Sequence, residues 1–121
     1  MTTTAADLYR YAATVVDWHD GDTAHVLVDL GCHVHWSGSL RCAGYNSPEL
    51  YGATKAAGEA ALAYVQGLVA NGSTVYLDSL GFQRTSEQDD FGRMLAVVTL
   101  SDGRDLATLM IGAGQAVADP A

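Results

Sequence analysis

Apolar and polar positions change period several times along the chain, and each change marks an element. Residues 10–18 (Arg-Tyr-Ala-Ala-Thr-Val-Val-Asp-Trp) are rich in β-branched and aromatic side chains and predict a strand. His19-Asp20-Gly21-Asp22 breaks it with turn chemistry. Over 23–30, Ala24, Val26 and Val28 alternate with His25, Leu27 and Asp29, the pattern of a half-buried second strand that Gly31 turns. A third extended segment runs over 32–45, with Gly38 as an expected bulge, and leaves through the turn Asn46-Ser47-Pro48-Glu49. Three strands joined by short turns make a meander. From 54 to 70 the apolar positions Ala61, Leu62, Val65, Leu68 and Val69 recur at steps of three and four, one face of a helix that Asn71-Gly72 stops. A fourth strand is predicted over 74–80, a polar loop over 81–92 and a fifth strand over 94–100, ended by Ser101-Asp102-Gly103. Asp105 then caps a last helix with the apolar face Leu106, Leu109, Met110 and Ala113. Five short strands with a helix between the third and fourth is the layout of a five-stranded OB-fold barrel of the α+β class.

Composition narrows the setting. The 121 residues suffice for one modest core, so the whole chain reads as a single domain, with residues 1–9 expected to be a flexible N-terminal segment. Apolar residues make up 49% and charged residues 17%, which excludes a disordered chain. The net charge of -8 argues against a general nucleic-acid-binding surface, since neutralising phosphates needs a basic stripe. It leaves a nuclease open, because a bound cation reverses the sign of an acidic cleft. Cys32 and Cys42 are ten positions apart on one extended segment, roughly 33 Å, beyond disulfide reach. Both are therefore expected to be free thiols acting as small buried hydrophobes, in keeping with a reducing compartment. No apolar run is long enough for a bilayer, and the N-terminus has neither the basic nor the apolar region of a signal peptide, so a cytoplasmic location is expected.

Four residues suggest chemistry. Hydrolysing a phosphodiester requires neutralised charge, an activated water and a phosphate held for in-line attack. Asp22, on the first turn, suits a hard cation. Arg41 and Arg93 suit paired donation to phosphate oxygens. Glu49 suits orienting or deprotonating the water. Each has a plainer reading: Asp-Gly-Asp as an ordinary turn, Arg41 as a solvated strand face, Glu49 as a helix opener, Arg93 as a hairpin charge.

The order of these motifs resembles the staphylococcal nuclease (thermonuclease) family. Val15-Val16-Asp17-Trp18-His19-Asp20-Gly21-Asp22-Thr23 is similar to its first motif, apolar residues running into Asp-Gly-Asp-Thr. Leu40 through Glu49 resembles its Arg, apolar residues, then Asp-Thr/Ala-Pro-Glu. Asp90-Phe91-Gly92-Arg93-Met94-Leu95-Ala96 resembles Tyr/Phe-Gly-Arg-x-Leu-Ala, and 109–116 resembles the segment after the barrel. The resemblance covers residues 11–118. It implies an OB-fold nuclease that cleaves DNA or RNA with calcium. Asp22 would be a calcium ligand and Ser47 would contribute its backbone carbonyl. Arg41 and Arg93 would clamp phosphate, Glu49 would activate water, and the 5′-oxygen would leave.

The departures shape the expectation as much. Asn46 stands at a metal-binding aspartate position and offers a carbonyl oxygen without charge, so metal affinity should fall. Asp89 and Asp90 place acids where the staphylococcal enzyme has a basic residue. The family's later nucleotide-contacting tyrosines and its third helix have no counterpart in the 121 residues, which implies a minimal variant. His25, His33 and His35 would suit zinc or nickel if gathered, although a solvent-facing sheet surface is the simpler reading.

Three functions follow. The first is a calcium-dependent nuclease acting on nucleic acid, with single-stranded DNA or RNA as the expected substrate. The second is a non-catalytic OB-fold binding module descended from such an enzyme. The third is a component of a larger assembly that pairs its acidic charge with a basic partner. The first is preferred because Asp22, Arg41, Glu49 and Arg93 occur together: a guanidinium without compensation in a cleft carries a desolvation cost and no structural use, so a module that had lost catalysis should have lost it.

Overall fold

The computed structural model describes residues 9–83 and 92–119. Asp89, Asp90, Phe91 and all but the last of the nine N-terminal residues therefore lie outside the described residues. The elements are β1 (Arg10–Trp18), β2 (Thr23–Gly31), β3 (Val34–Cys42), the short β4 (Tyr45–Asn46), a 3-10 turn (Gly52–Thr54), α1 (Lys55–Leu68), β5 (Thr74–Gln83), β6 (Arg93–Leu100), α2 (Leu106–Gly112) and the short β7 (Val117–Ala118). Strands β1-β2-β3-β6-β5 close into a barrel, and β4 and β7 form a separate two-stranded ladder. Four neighbouring pairs are antiparallel; β3 and β6 run parallel, Leu40 opposite Met94 and Arg41 opposite Leu95. This is the expected five-stranded OB-like barrel with helices.

The alternation seen along the chain places the core. Ala24, Val26 and Val28 of β2 point inward and are buried, while His25, Leu27 and Asp29 face solvent. On β6, Met94, Ala96, Val98 and Leu100 are buried. The strand register shifts at Val15/Asp17, Asp29/Gly31 and Ser79/Gly81, irregularities of the kind that let a sheet curl into a barrel. Gly38 is not one of them: its pairing with Val26 is regular. The glycine is there for the Trp36 indole, since a Cβ at residue 38 would lie 2.5 Å from that ring.

Three element boundaries move for identifiable reasons. The expected third strand, 32–45, is interrupted at both ends. Cys32 and His33 form a two-residue hairpin loop with φ of 55° and 63°, and the Ala43-Gly44 turn, with Gly44 at φ 94°, separates β3 from β4. Cys32 is thus exposed rather than buried, whereas Cys42 is buried as expected and both are free thiols. The expected helix over 54–70 ends at Leu68, and Val69 turns extended to receive the Trp18 indole N–H on its carbonyl at 2.9 Å. The first residues of the expected loop over 81–92 continue β5 to Gln83, paired with Arg93.

Both helices pack on the barrel through the residues their periodicity selects. Gly58, Ala61 and Val65 of α1 and Leu106 and Met110 of α2 are buried. Ala113, expected on the apolar face of α2, is exposed because the helix has ended one residue before it. Asp105 caps α2 as expected, its carboxylate accepting the Thr108 N–H at 3.0 Å. Among the described residues no helix is long and apolar enough to cross a membrane.

Candidate active site

The strand pairings bring the candidate residues together. Thr23 opens β2 opposite Arg41 near the end of β3, so Asp22 sits beside that arginine. The Cys42 N–H donates to the Asp22 carbonyl at 2.9 Å and ties the turn to β3. Arg41 in turn pairs with Leu95 on β6. Met94 enters the core, so alternation puts Arg93 on the outer face with Leu95, two residues along from the level of Arg41.

Asp22 is buried at 9% exposure, yet each of its oxygens is held. Oδ2 accepts the Ser47 N–H at 3.0 Å and faces the Arg41 guanidinium at 3.5 Å; Oδ1 accepts the Thr23 hydroxyl at 3.1 Å. Asp20 caps the same turn, accepting the Asp22 N–H at 3.0 Å. The two carboxylates titrate in opposite directions. Burial, and then the contact with Asp22, raises Asp20 above the usual carboxylate range. Burial also pushes Asp22 upward, but the hydrogen bonds from Asp20, the Ser47 N–H and Thr23 and the charge of Arg41 outweigh it and hold Asp22 low. Asp20 belongs to the same acidic turn, and its contact with Asp22 depends on the folded turn.

Tyr45 supports the same turn. It is fully buried, and its hydroxyl donates to the Gly21 carbonyl at 2.8 Å, pinning the Asp-Gly-Asp turn from beneath. Burial raises its pKa, so it remains a donor. Burial also pushes the neighbouring Cys42 thiol up to about 12, which makes it a packing group rather than a nucleophile. Gly21 is required by contact: a Cβ there would stand 2.7 Å from the Ser47 Cβ.

Arg41 corrects the sequence reading. It is 8% exposed and heavily compensated. Nη1 donates to the carbonyls of Cys42 and of Tyr45, the latter at 2.9 Å. Nη2 donates to Asn46 Oδ1 and lies 3.5 Å from Asp22 Oδ2 and 3.7 Å from Asp119 Oδ2. It therefore has a structural use, fastening the end of β3 to β4 and β7, and its presence does not by itself argue for catalysis. Arg93 differs: its Nε is buried without a hydrogen-bond partner among the described residues. The Glu49 side chain is exposed and makes no hydrogen bond or ion pair among the described residues; its backbone carbonyl accepts the Thr54 hydroxyl at 2.9 Å and lies against Gly58.

The donors suit a hard divalent cation in kind. Asp22 and Asp20 provide two crowded carboxylates, Asn46 provides an amide oxygen, and Ser47 Oγ, beside Gly21, is buried with no partner among the described residues. They suit it weakly in number, because among the described residues no three His, Cys, Asp or Glu side chains gather. The histidines do not assemble either. His25 pairs opposite Ser39 and His35 opposite Asp29, four residues apart on β3, and His33 sits in the hairpin loop. No protein-family model matches the chain, and no curated protein matches it.

Proposed function

We propose that the chain is a metal-dependent phosphodiester hydrolase acting on single-stranded nucleic acid, with its site at the Asp-Gly-Asp end of the barrel. The observation that carries this reading is the buried Nε of Arg93, without a hydrogen-bond partner among the described residues, on the strand paired with that of Arg41. A buried guanidinium nitrogen without an acceptor is unfavourable unless something supplies one, and a phosphate oxygen does. The resemblance of the Asp22, Arg41, Glu49 and Arg93 motifs to the staphylococcal nuclease family supports the same site.

In this reading Arg93 and Arg41 hold the non-bridging oxygens of the scissile phosphate and orient it for in-line attack. Asp22 and Asp20, with the Asn46 oxygen and Ser47, would hold a calcium ion, which when bound would supply positive charge against the developing negative charge on phosphorus. Glu49, its side chain exposed and without a partner among the described residues, takes the proton of the attacking water. The water oxygen bonds to phosphorus, the bond from phosphorus to the 5′-oxygen breaks, and that oxygen takes a proton from solvent. With one amide in place of a carboxylate, the cation is held loosely and calcium is needed at high concentration. A cytoplasmic setting belongs to the same proposal.

The test is digestion of single-stranded DNA and RNA over a calcium titration, with a chelator control and Arg93→Ala beside the wild type. Calcium-dependent cleavage lost in Arg93→Ala is the expected result; equal cleavage by both proteins refutes the assigned site. Calcium should also raise the urea midpoint of the wild type but not of Asp22→Asn, a readout independent of turnover. The compensation of Arg41 by protein acceptors favours a second reading, a binding module without turnover, which predicts binding and no cleavage at any calcium concentration.

A further inference from the structure

The guanidinium that would hold a phosphate already faces a carboxylate brought by the C-terminal strand. Nη1 of Arg41 is taken up by the carbonyls of Cys42 and Tyr45, and Nη2 gives one hydrogen to Asn46 Oδ1. Nη2 also lies at ion-pair distance from two carboxylates, 3.5 Å from Asp22 Oδ2 and 3.7 Å from Asp119 Oδ2. These two acids are held very differently. Asp22 is buried and anchored by Ser47 and Thr23. Asp119 follows β7, a two-residue strand whose residues are exposed and whose ladder with β4 has two rungs, Tyr45 with Ala118 and Asn46 with Val117. The Asp119 N–H adds one bond to the Gly44 carbonyl at 3.1 Å. A ladder this short, exposed along β7, belongs to the less stable part of a fold and opens before the barrel does.

We propose that β7 is a strap that competes with nucleic-acid phosphate for Arg41, the Asp119 carboxylate standing where a phosphate oxygen would be accepted. The identity of the competitor rests on the phosphodiesterase reading; the strap itself rests on the ladder and the ion pair. Carboxylate and phosphate oxygens are alternative acceptors for the same guanidinium, and a tethered carboxylate competes at high effective concentration. Substrate binds when the strap lifts, which also carries a negative charge away from the incoming phosphate. A strap closed nine-tenths of the time weakens apparent affinity about tenfold.

The experiment is fluorescence anisotropy of a labelled single-stranded oligodeoxynucleotide at low salt, with the full chain as wild type, Asp119→Asn, Asp119→Ala and Asp102→Asn. Asp102 pairs with Arg104 at 2.7 Å in the turn after β6, so Asp102→Asn removes the same formal charge away from Arg41. The expected result is binding tightened about tenfold in both Asp119 variants and unchanged within about twofold in Asp102→Asn. Equal shifts in all three variants, or weaker binding in the Asp119 variants, overturn the strap. Hydrogen exchange of the Asp119 amide gives a second reading: saturating oligonucleotide should accelerate it, and unchanged or slower exchange counts against the proposal. Cleavage with calcium and with chelator is followed in the same samples. Tighter binding by the Asp119 variants without any cleavage keeps the strap and removes the hydrolase reading. Calcium-dependent cleavage with binding unaffected at Asp119 does the reverse.

Discussion

At the end of the barrel where β1 turns into β2, polar groups are buried and matched almost one to one; where β1 begins and β3 starts, apolar groups stand in solvent. The first end holds Asp22, Arg41 and Tyr45, each with named partners at hydrogen-bond or ion-pair distance. The second is a cleft of about 500 Å³ lined by Tyr9, Tyr11, Leu30, Trp36, Phe82 and their neighbours, with Trp36 and Phe82 edge to face at 5.3 Å. The apolar cleft is the larger feature, yet the candidate chemistry lies at the polar end. Burial of matched polar groups is directional and fails when one partner is lost, whereas apolar contact is non-directional and degrades gradually. Loss of a single atom should therefore be felt far more at the first end than at the second.

Removing Arg41 should break the polar end most severely. Arg41→Ala strands the buried Asp22 carboxylate and two carbonyls, and urea unfolding should show a loss of about 3–5 kcal/mol. Tyr45→Phe removes one hydroxyl and leaves the Gly21 carbonyl without its donor, for a loss of about 1–3 kcal/mol in the same assay. Gly58→Ala drives a methyl to 2.4 Å from the Glu49 carbonyl and should cost a similar amount, about 1–3 kcal/mol. On the proposed hydrolase reading it should also depress cleavage more than Tyr45→Phe does, because it displaces the segment that carries Glu49.

The two neighbouring acids of the turn extend the contrast to pH. Asp22 is held low, so its contribution is present above the usual carboxylate range and disappears as pH falls through its folded value. Asp20 is held high, so its contribution is present below that range and is lost as pH rises through its folded value. Asp20→Asn should therefore raise the urea midpoint at neutral pH, with the gain vanishing in acid. Asp22→Asn should lower the midpoint at neutral pH, with the deficit shrinking in acid. Midpoints for both variants from pH 3 to pH 7, roughly the span of carboxylate titration, check the signs. The smallest effect belongs to the apolar cleft: Leu80→Ser, at a residue 59% exposed, should move stability by no more than about 0.5 kcal/mol. A loss as large as that of Tyr45→Phe would show that this end is covered in solution and that the contrast fails.

Much of the barrel was legible because strand alternation reports burial directly: Ala24, Val26 and Val28 are buried where their spacing put them, and the β1 and β2 limits fall within one residue of expectation. The errors have local causes. Gly38 resembled a bulge because a glycine in a strand signals either a kink or a close approach, and the spacing cannot distinguish them. Cys32 and His33 resembled strand residues because nothing in their side chains announces positive φ. At the site, Asp22 was visible through its turn chemistry. The partners of Arg41 were not, since they come from three elements and from Asp119, 78 positions along the chain.

The order of residues set the periodicities, hence the strands and the helix faces, because burial acts on each residue's own polarity. Tertiary structure alone decided which polar groups meet. It turned Arg41 from a guanidinium without a structural use into one that joins β3, β4 and β7, left the Arg93 Nε without an acceptor among the described residues, and kept the three histidines apart. Hydrogen bonds and ion pairs depend on ångström-scale distances between residues remote in sequence, and strand register and barrel closure set those distances.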